Sequence, residues 1–531
     1  MFYNGFMSLV KSIATVASGT LLSRIVGFVR DVLIARFLGA SMMADAFFVA
    51  LRFPNLFRSL FAEGTLNVAF VPLLSGQIQT KGEQRARVFA RNVFSFLFYV
   101  LLIFTIVIEI FMPDMMFILA PGFEEIEGKL PLTTALSRIT FPFLIFVSLV
   151  SLLAGMLNAV GKFWAAAFTP TILNLTMIGS LFIIAPFLPT PYAPAYALSI
   201  GVLVAGIIEF IFLFYHIKKA GFLIGLISPF KALFHISKEV KTLLKKMGPG
   251  VLGSGVYQIN LFFDTFLVSF VGAGAISWLN YAHHLFQLPV GIIGTAVGTA
   301  LLPILSKHIK SGDLKSANEQ LNRSLEISIA MSMSSMIGLM LLSEPIVRIL
   351  FERGIFTSTD SINTAHALIV FAFGLPAYML TKTLSPFFFA KGDTKTPVKI
   401  AILGVFLNVI LALIFMQFWG YLGIALATGI TVWINAGQYI FRLKKQGTVS
   451  IDSLASYRLP RIIASCILMA ISLIGLKYLF NIYFPNWADN NNLLSIFLLT
   501  CLIGASILVF SVMLILLKGI LLSDIKKMLH R

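Results

Sequence analysis

Apolar residues dominate this chain in runs of about 20 or more, broken by short polar stretches. A run of that length marks a helix that crosses a bilayer, because lipid leaves backbone N–H and C=O groups to be satisfied within their own segment. Fourteen such runs lie near 11–38, 43–75, 89–113, 133–159, 163–188, 192–217, 248–272, 275–306, 323–349, 362–390, 397–418, 420–441, 461–483 and 493–517. The pattern predicts an all-α integral membrane protein with 14 transmembrane helices. The first run has no small-residue cleavage site behind it and reads as an uncleaved span.

The polar breaks set an orientation. Lys81, Arg85, Arg87 and Arg91 follow the second run, and Lys218, Lys219, Lys231, Lys238, Lys241, Lys245 and Lys246 follow the sixth. Lys307, Lys310 and Lys315 follow the eighth, Lys391 and Lys395 the tenth, and Arg442, Lys444 and Lys445 the twelfth. The alternate breaks are short or acidic, as at Asp114, Glu124, Glu125 and Glu127. By the positive-inside rule both termini are cytoplasmic.

The two halves also match each other at a shift of 231 or 232 residues. "PLLS" at Pro72 answers "PILS" at Pro303, Arg91 answers Arg323, Gly122 answers Gly354, and Gly161 answers Gly392. Four matches in order predict two six-helix lobes in parallel repeat, plus two extra C-terminal helices. The divisions are 1–217 for the first lobe, 218–246 for a basic cytoplasmic linker, 247–445 for the second lobe and 446–531 for helices 13 and 14. Two such lobes with a cavity between them suit an alternating-access transporter.

Charge is unevenly shared between the lobes. The first run carries Arg24, Arg30, Asp31 and Arg36, and the second Asp45, Arg52, Arg58 and Glu63. At the repeat offset these arginines meet Gly255 for Arg24, Leu261 for Arg30, His283 for Arg52 and Pro289 for Arg58. Arg24 and Asp31, seven residues apart, share a helix face, while Arg30 points elsewhere. Arg24 and Arg58 fall near the bilayer midplane, where a charge costs several kcal/mol unless it faces water or a partner. Gly19, Gly27 and Pro54 allow bends there. These charges either pair as structural glue, Arg24 with Asp31 and Arg58 with Asp45 or Glu63, or line a cationic cavity for an anionic substrate. Cations outnumber anions, and the guanidinium fork suits phosphate. Arg36, near the outer end, snorkels.

Composition narrows the classes. The chain is 58% hydrophobic and only 12% charged, with a mean hydropathy of +0.93. Its net charge of +18 lies in short loops between spans, which favours lipid over nucleic acid as the partner. Cys466 and Cys501 sit inside apolar runs and read as free thiols. No HExxH, P-loop, acidic pair at a membrane face or nucleophile elbow is present, so neither catalysis nor self-driven ATP hydrolysis finds support.

The segments "SRIVGFVRD" (23–31), "DAFFVALRFPNLFR" (45–58), "FAEG" (61–64), "APGF" (120–123) and "DTKTPVKIA" (393–401) resemble the MurJ (MviN) family of lipid II flippases. The resemblance runs from the first span through the twelfth, and is weak in sequence over the last two. It implies a monomer of the bacterial inner membrane that moves undecaprenyl-diphosphate-linked peptidoglycan precursor (lipid II) from the inner to the outer leaflet. It also implies that Arg24, Arg30 and Arg58 are the essential arginines, with Asp31 and Asp45 as acidic partners and Arg52 in place of a family lysine. Where the family has Asp-Arg followed by Glu, this chain reads "YAHHLFQLP". His284 thus stands at the second-lobe phosphate position, as either a substituted ligand or a bystander. No cofactor is implied. Asp264, with no cationic neighbour in sequence, is either a protonated structural group or, with Asn408 and Thr428, a sodium site. An exporter of another polyprenyl-linked glycan or of a drug, and an enzyme acting on polyprenyl phosphates, are the rival classes.

Overall fold

The computed structural model describes residues 2–61, 65–222, 224–446, 450, 452–485, 487–488 and 493–519. Every regular element among them is helical. The chain divides into two compact units, Met1–Gly274 and Ala275–Arg531.

The first unit holds α1 (Phe2–Leu38), α2 (Met42–Phe61), α3 (Thr65–Ile110), α4 (Met112–Leu119), α5 (Lys129–Thr140), α6 (Phe143–Ala159), α7 (Trp164–Ile183), α8 (Ala193–Lys219), α9 (Pro229–Phe234) and α10 (Lys238–Ser269). The second holds α11 (Ala275–Lys310), α12 (Leu314–Leu341), α13 (Ser343–Phe351), α14 (Ser358–Phe373), α15 (Leu375–Ala390), α16 (Lys395–Trp419), α17 (Tyr421–Lys445), α18 (Ser453–Tyr483) and α19 (Leu493–Leu516). Ten helical segments among the described residues are long and apolar enough to cross a membrane. The other four anticipated spans also fall on helices, namely α1, α2, α10 and α11.

Several boundaries differ from the sequence reading for local reasons. The basic stretch around Lys81–Arg91 is not a loop but part of α3, broken only at Gly82, whose φ of 80° and ψ of 163° interrupt the helix. The run at 133–159 is two helices, because Pro142 cannot donate to the preceding turn. Pro54 does not break α2. Its missing N–H leaves the Ala50 carbonyl without the usual i+4 donor, and the Thr140 hydroxyl donates to that oxygen at 2.7 Å instead.

The order α3–α8 in the first unit is repeated by α12–α17 in the second. α3 packs on α6 as α12 packs on α15, α5 on α8 as α14 on α17, and α7 on α8 as α16 on α17. The matched glycines carry the same turn. Gly161 and Gly392 have φ of 75° and 77° at the ends of α6 and α15. Behind each, the next amide reaches back to the helix, Lys162 N to Leu157 O at 2.8 Å and Asp393 N to Phe388 O at 2.9 Å. Only a residue tolerant of the left-handed region closes a helix this way. One helix departs from the scheme. α1 packs along α7, whereas α10 packs along α3 and α2 of the first unit.

Candidate anion-binding site

Arg24 and Arg30 lie on α1, which is a single uninterrupted helix. The glycines read as bend points serve close packing on α7. A Cβ at Gly19 would lie 3.1 Å from the Ala167 backbone oxygen, and one at Gly27 would lie 3.2 Å from Asn174 Nδ2. That close approach brings Asn174 to Arg30, whose Nη1 donates to Asn174 Oδ1 at 2.7 Å. Arg30 Nη2 and Nε also donate to Asp31 Oδ1, at 2.7 and 3.0 Å. Asp31 is therefore bonded to its neighbour Arg30, not to Arg24 as the shared helix face predicted. Two neighbours in sequence can meet because the long arginine stem curls back along the helix. Arg24 is exposed, and no ion pair to it is found among the described residues. Arg36 is exposed too, its guanidinium 6.0 Å from the Phe37 ring.

On α2 the acidic member is withdrawn from any cavity. Asp45 and Lys129 are both fully buried, and Lys129 Nζ lies 2.8 Å from Asp45 Oδ2. The Gly274 N–H donates to the same oxygen at 2.7 Å, and Lys129 Nζ sits 3.9 Å from the centre of the Phe123 ring. Asp45 thus ties the start of α2 to the start of α5 and to the turn after α10, and it is not the partner of Arg58. An acidic group close enough to feel Arg58 is Glu209 on α8, which is buried. Glu63 lies outside the described residues. Arg52 donates from Nη1 to Thr265 Oγ1 on α10 at 2.7 Å, and Asp264 beside it attracts the same guanidinium. Asp264 also accepts from Asn260 Nδ2 at 3.0 Å. Its carboxylate, solitary in sequence, therefore has a cation in space, supplied by Arg52.

Asn408 on α16 and Thr428 on α17 belong to the second unit. Asn408 is buried, and the Thr428 hydroxyl donates to its own helix at Ile424 O, 3.2 Å away. Among the described residues no three His, Cys, Asp or Glu groups gather as metal ligands. His284 is half-buried on α11. Its neighbour His283 receives the Gln287 amide at 3.0 Å and packs 5.6 Å from the Phe371 ring. Cys466 and Cys501 are free thiols.

One charged cluster escaped the sequence. Arg323 bonds to Glu326, one turn along α12, and to Asp452, the N-cap of α18. Arg458 Nη1 on α18 lies 3.1 Å from Glu326 Oε2, with both side chains about 5% exposed. Burial alone would push the Asp452 carboxyl up. The hydrogen bond from Arg323, with the Ala455 N–H, outweighs it and holds the group below the usual carboxylate range. Spacing could have offered the Arg323–Glu326 pair, but not its closure by a helix some 130 residues on.

The first unit therefore concentrates permanent positive charge on two helices, with Arg24 open, Arg30 and Arg52 held by polar partners and Arg58 near Glu209. The family model "Lipid II flippase MurJ" matches residues 34–496. The chain belongs to the MurJ family. The matched range takes in Arg52 and Arg58, while Arg24 and Arg30 precede it. A probable lipid II flippase MurJ of Rickettsia prowazekii (strain Madrid E) is 39% identical over 89% of this chain and 91% of its own length. A solved structure of a lipid II flippase MurJ, in an inward closed conformation, superposes with a TM-score of 0.76 at 31% identity, covering 94% of this chain and 97% of that one. An inward-facing multidrug resistance transporter of the MATE family, in the MOP superfamily, shares the fold at 16% identity and a TM-score of 0.67, over 80% of this chain and 95% of that one. MurJ membership makes the chain a multi-pass membrane transporter of peptidoglycan synthesis and not an enzyme.

Proposed function

We propose that this chain carries lipid II from the inner to the outer leaflet of the bacterial inner membrane by alternating access, with fourteen spans and both termini in the cytoplasm. The observation that carries the reading is the arginine set on α1 and α2. Arg30, held by amide and carboxylate partners, and Arg52, held by a hydroxyl, lose little freedom on gripping a diphosphate. Arg24, Arg30 and Arg58 are the diphosphate ligands of this reading, with Arg52 flanking them. Asp31 orients Arg30, and Asp45 acts from behind as a fold anchor. His284 would supply the weaker contact of the second lobe. The polyprenyl tail is too long and apolar for a cationic cavity. Along α18, Ile463, Ile467, Ile471, Ile474 and Tyr478 recur every three or four residues and are all exposed, forming one apolar stripe suited to it.

The test is rescue of cells depleted of their own flippase, with precursor accumulation and protein level measured together. Alanine at Arg24, Arg30 or Arg58 should abolish rescue while the protein reaches the membrane, and lysine should restore it only in part, since it loses the bidentate geometry. Full growth with all three alanine variants would overturn the assignment.

A further inference from the structure

Away from the arginine set, the first unit holds a cavity of about 410 Å³ between α3 and the segment joining α8 to α10. Its polar lining is Arg91, Asn92, Lys231, His235 and Ser237, with Phe230 among its apolar walls. No acidic residue lines it, and none occurs in the sequence from 220 to 238. Ser237 caps α10, its hydroxyl accepting from Val240 N at 3.3 Å, so the positive end of a 32-residue helix opens on the same space.

The segment that closes the cavity is built rather than draped. Ile227 N donates to the buried Ser95 hydroxyl at 3.1 Å, and Tyr99 OH donates to Ile227 O at 3.0 Å. α9 turns its small residue inward, with Ala232 buried, and its large apolar ones outward. Phe230 is 61% exposed and Phe234 74%. They lie four residues apart on one face, with ring centres 5.3 Å apart. Exposed phenylalanines beside a cationic pocket are unfavourable in water and favourable where headgroups meet acyl chains.

We propose that this cavity binds the phosphate of an anionic phospholipid from the leaflet around the cytoplasmic end of the protein, with Phe230 and Phe234 among the acyl chains. The placement rests on the orientation given above, and the binding itself does not depend on what is transported. Arg91 and Lys231 grip the phosphate, and Asn92 and His235 contact its ester oxygens or glycerol. A free phosphate ion would satisfy the cations but leave the phenylalanines in water, which is why the lipid is the occupant.

The experiment uses the purified full-length chain with phosphatidylglycerol and phosphatidylcholine of equal chain length, bound lipid being counted by native mass spectrometry. Preference for phosphatidylglycerol should fall about fivefold for each cation removed, so about 25-fold for R91Q/K231Q. The control pair K444Q/K445Q, at exposed positions ending α17, should leave it unchanged. The single K231Q variant, at an exposed position, covers a failure of the double to fold. Three outcomes overturn the proposal: no preference in the parent chain, an equal loss in the control pair, or displacement of the lipid by millimolar inorganic phosphate. Because no lipid II is present, a failed flippase reading leaves this result standing, and the reverse also holds.

Discussion

Removing the Lys129 ammonium should loosen the joint between the starts of α2 and α5 without touching a candidate arginine. In Lys129→Met the methylene stem stays roughly filled, but Asp45, fully buried, loses its counter-charge while the Gly274 N–H still donates to it. Stripping one partner from a buried ion pair costs about 3–5 kcal/mol, most of it the penalty of a carboxylate left without its counter-charge. Loss of the ammonium from the Phe123 ring adds about 1 kcal/mol. Asp45→Asn in the same chain removes the stranded charge and still offers an oxygen to Gly274. The double variant should therefore recover most of the loss, to within about 1–2 kcal/mol of the parent. Thermal unfolding of the detergent-purified protein, with the parent and both single variants alongside, reads the coupling directly. If Lys129→Met melts with the parent, or the double variant is no more stable than Lys129→Met, the pair does not hold the fold. Rescue assays on the double variant then separate the roles of Asp45. Normal flipping means an anchor, and lost flipping in a stable protein means a group the cargo needs.

Asn174→Leu should keep the α1–α7 contact roughly filled but release Arg30 Nη1 from the amide, while Nη2 and Nε keep their bonds to Asp31. Flipping should fall about tenfold, the worth of a charge-assisted hydrogen bond, and unchanged flipping would mean that Asn174 does not aim Arg30. At the other end of the chain, Arg458→Met leaves the buried Glu326 with Arg323 alone and should destabilise the α12–α18 contact by about 3 kcal/mol, read as faster proteolysis of the C-terminal helices. The Asp452 carboxyl is held below its unfolded value, so its contribution is full above the usual carboxylate range and is lost as pH falls through the depressed value. Acid should therefore loosen the parent chain at this joint, and Asp452→Asn should already be loose at neutral pH.

Much of this was visible in the bare sequence because lipid enforces it. Apolar length predicts helices. The glycines at 161 and 392 answer each other in the repeat, and both close a helix with a left-handed φ. What the sequence hid was pairing across distance. Lys129 sits at the edge of an apolar run with nothing nearby to mark it as the partner of Asp45, 84 positions earlier. Glu209 lies inside the sixth run, too isolated to be linked with Arg58. The Arg30–Asp31 bond was missed because helix-face arithmetic treats side chains as fixed spokes, and arginine is long enough to fold back onto its neighbour. The place of α10 was hidden for another reason. The repeat assigns it to the second half by descent, and packing in this conformation joins it to the first.

The fastening of α18 has a mechanical meaning. Two guanidinium groups and two carboxylates clamp its first turns to α12, and farther along Lys477 Nζ donates to Leu341 O at the end of α12, 3.0 Å away. Between these ties Ile462, Ala330 and Leu514 close a dry seam that includes α19. A rod pinned at two points to its neighbour can neither slide nor pivot against it. The exposed isoleucine stripe is then a rail bolted to the second unit, and it travels wherever α12 travels. A lipid chain lying on that rail would move with the second unit as a whole.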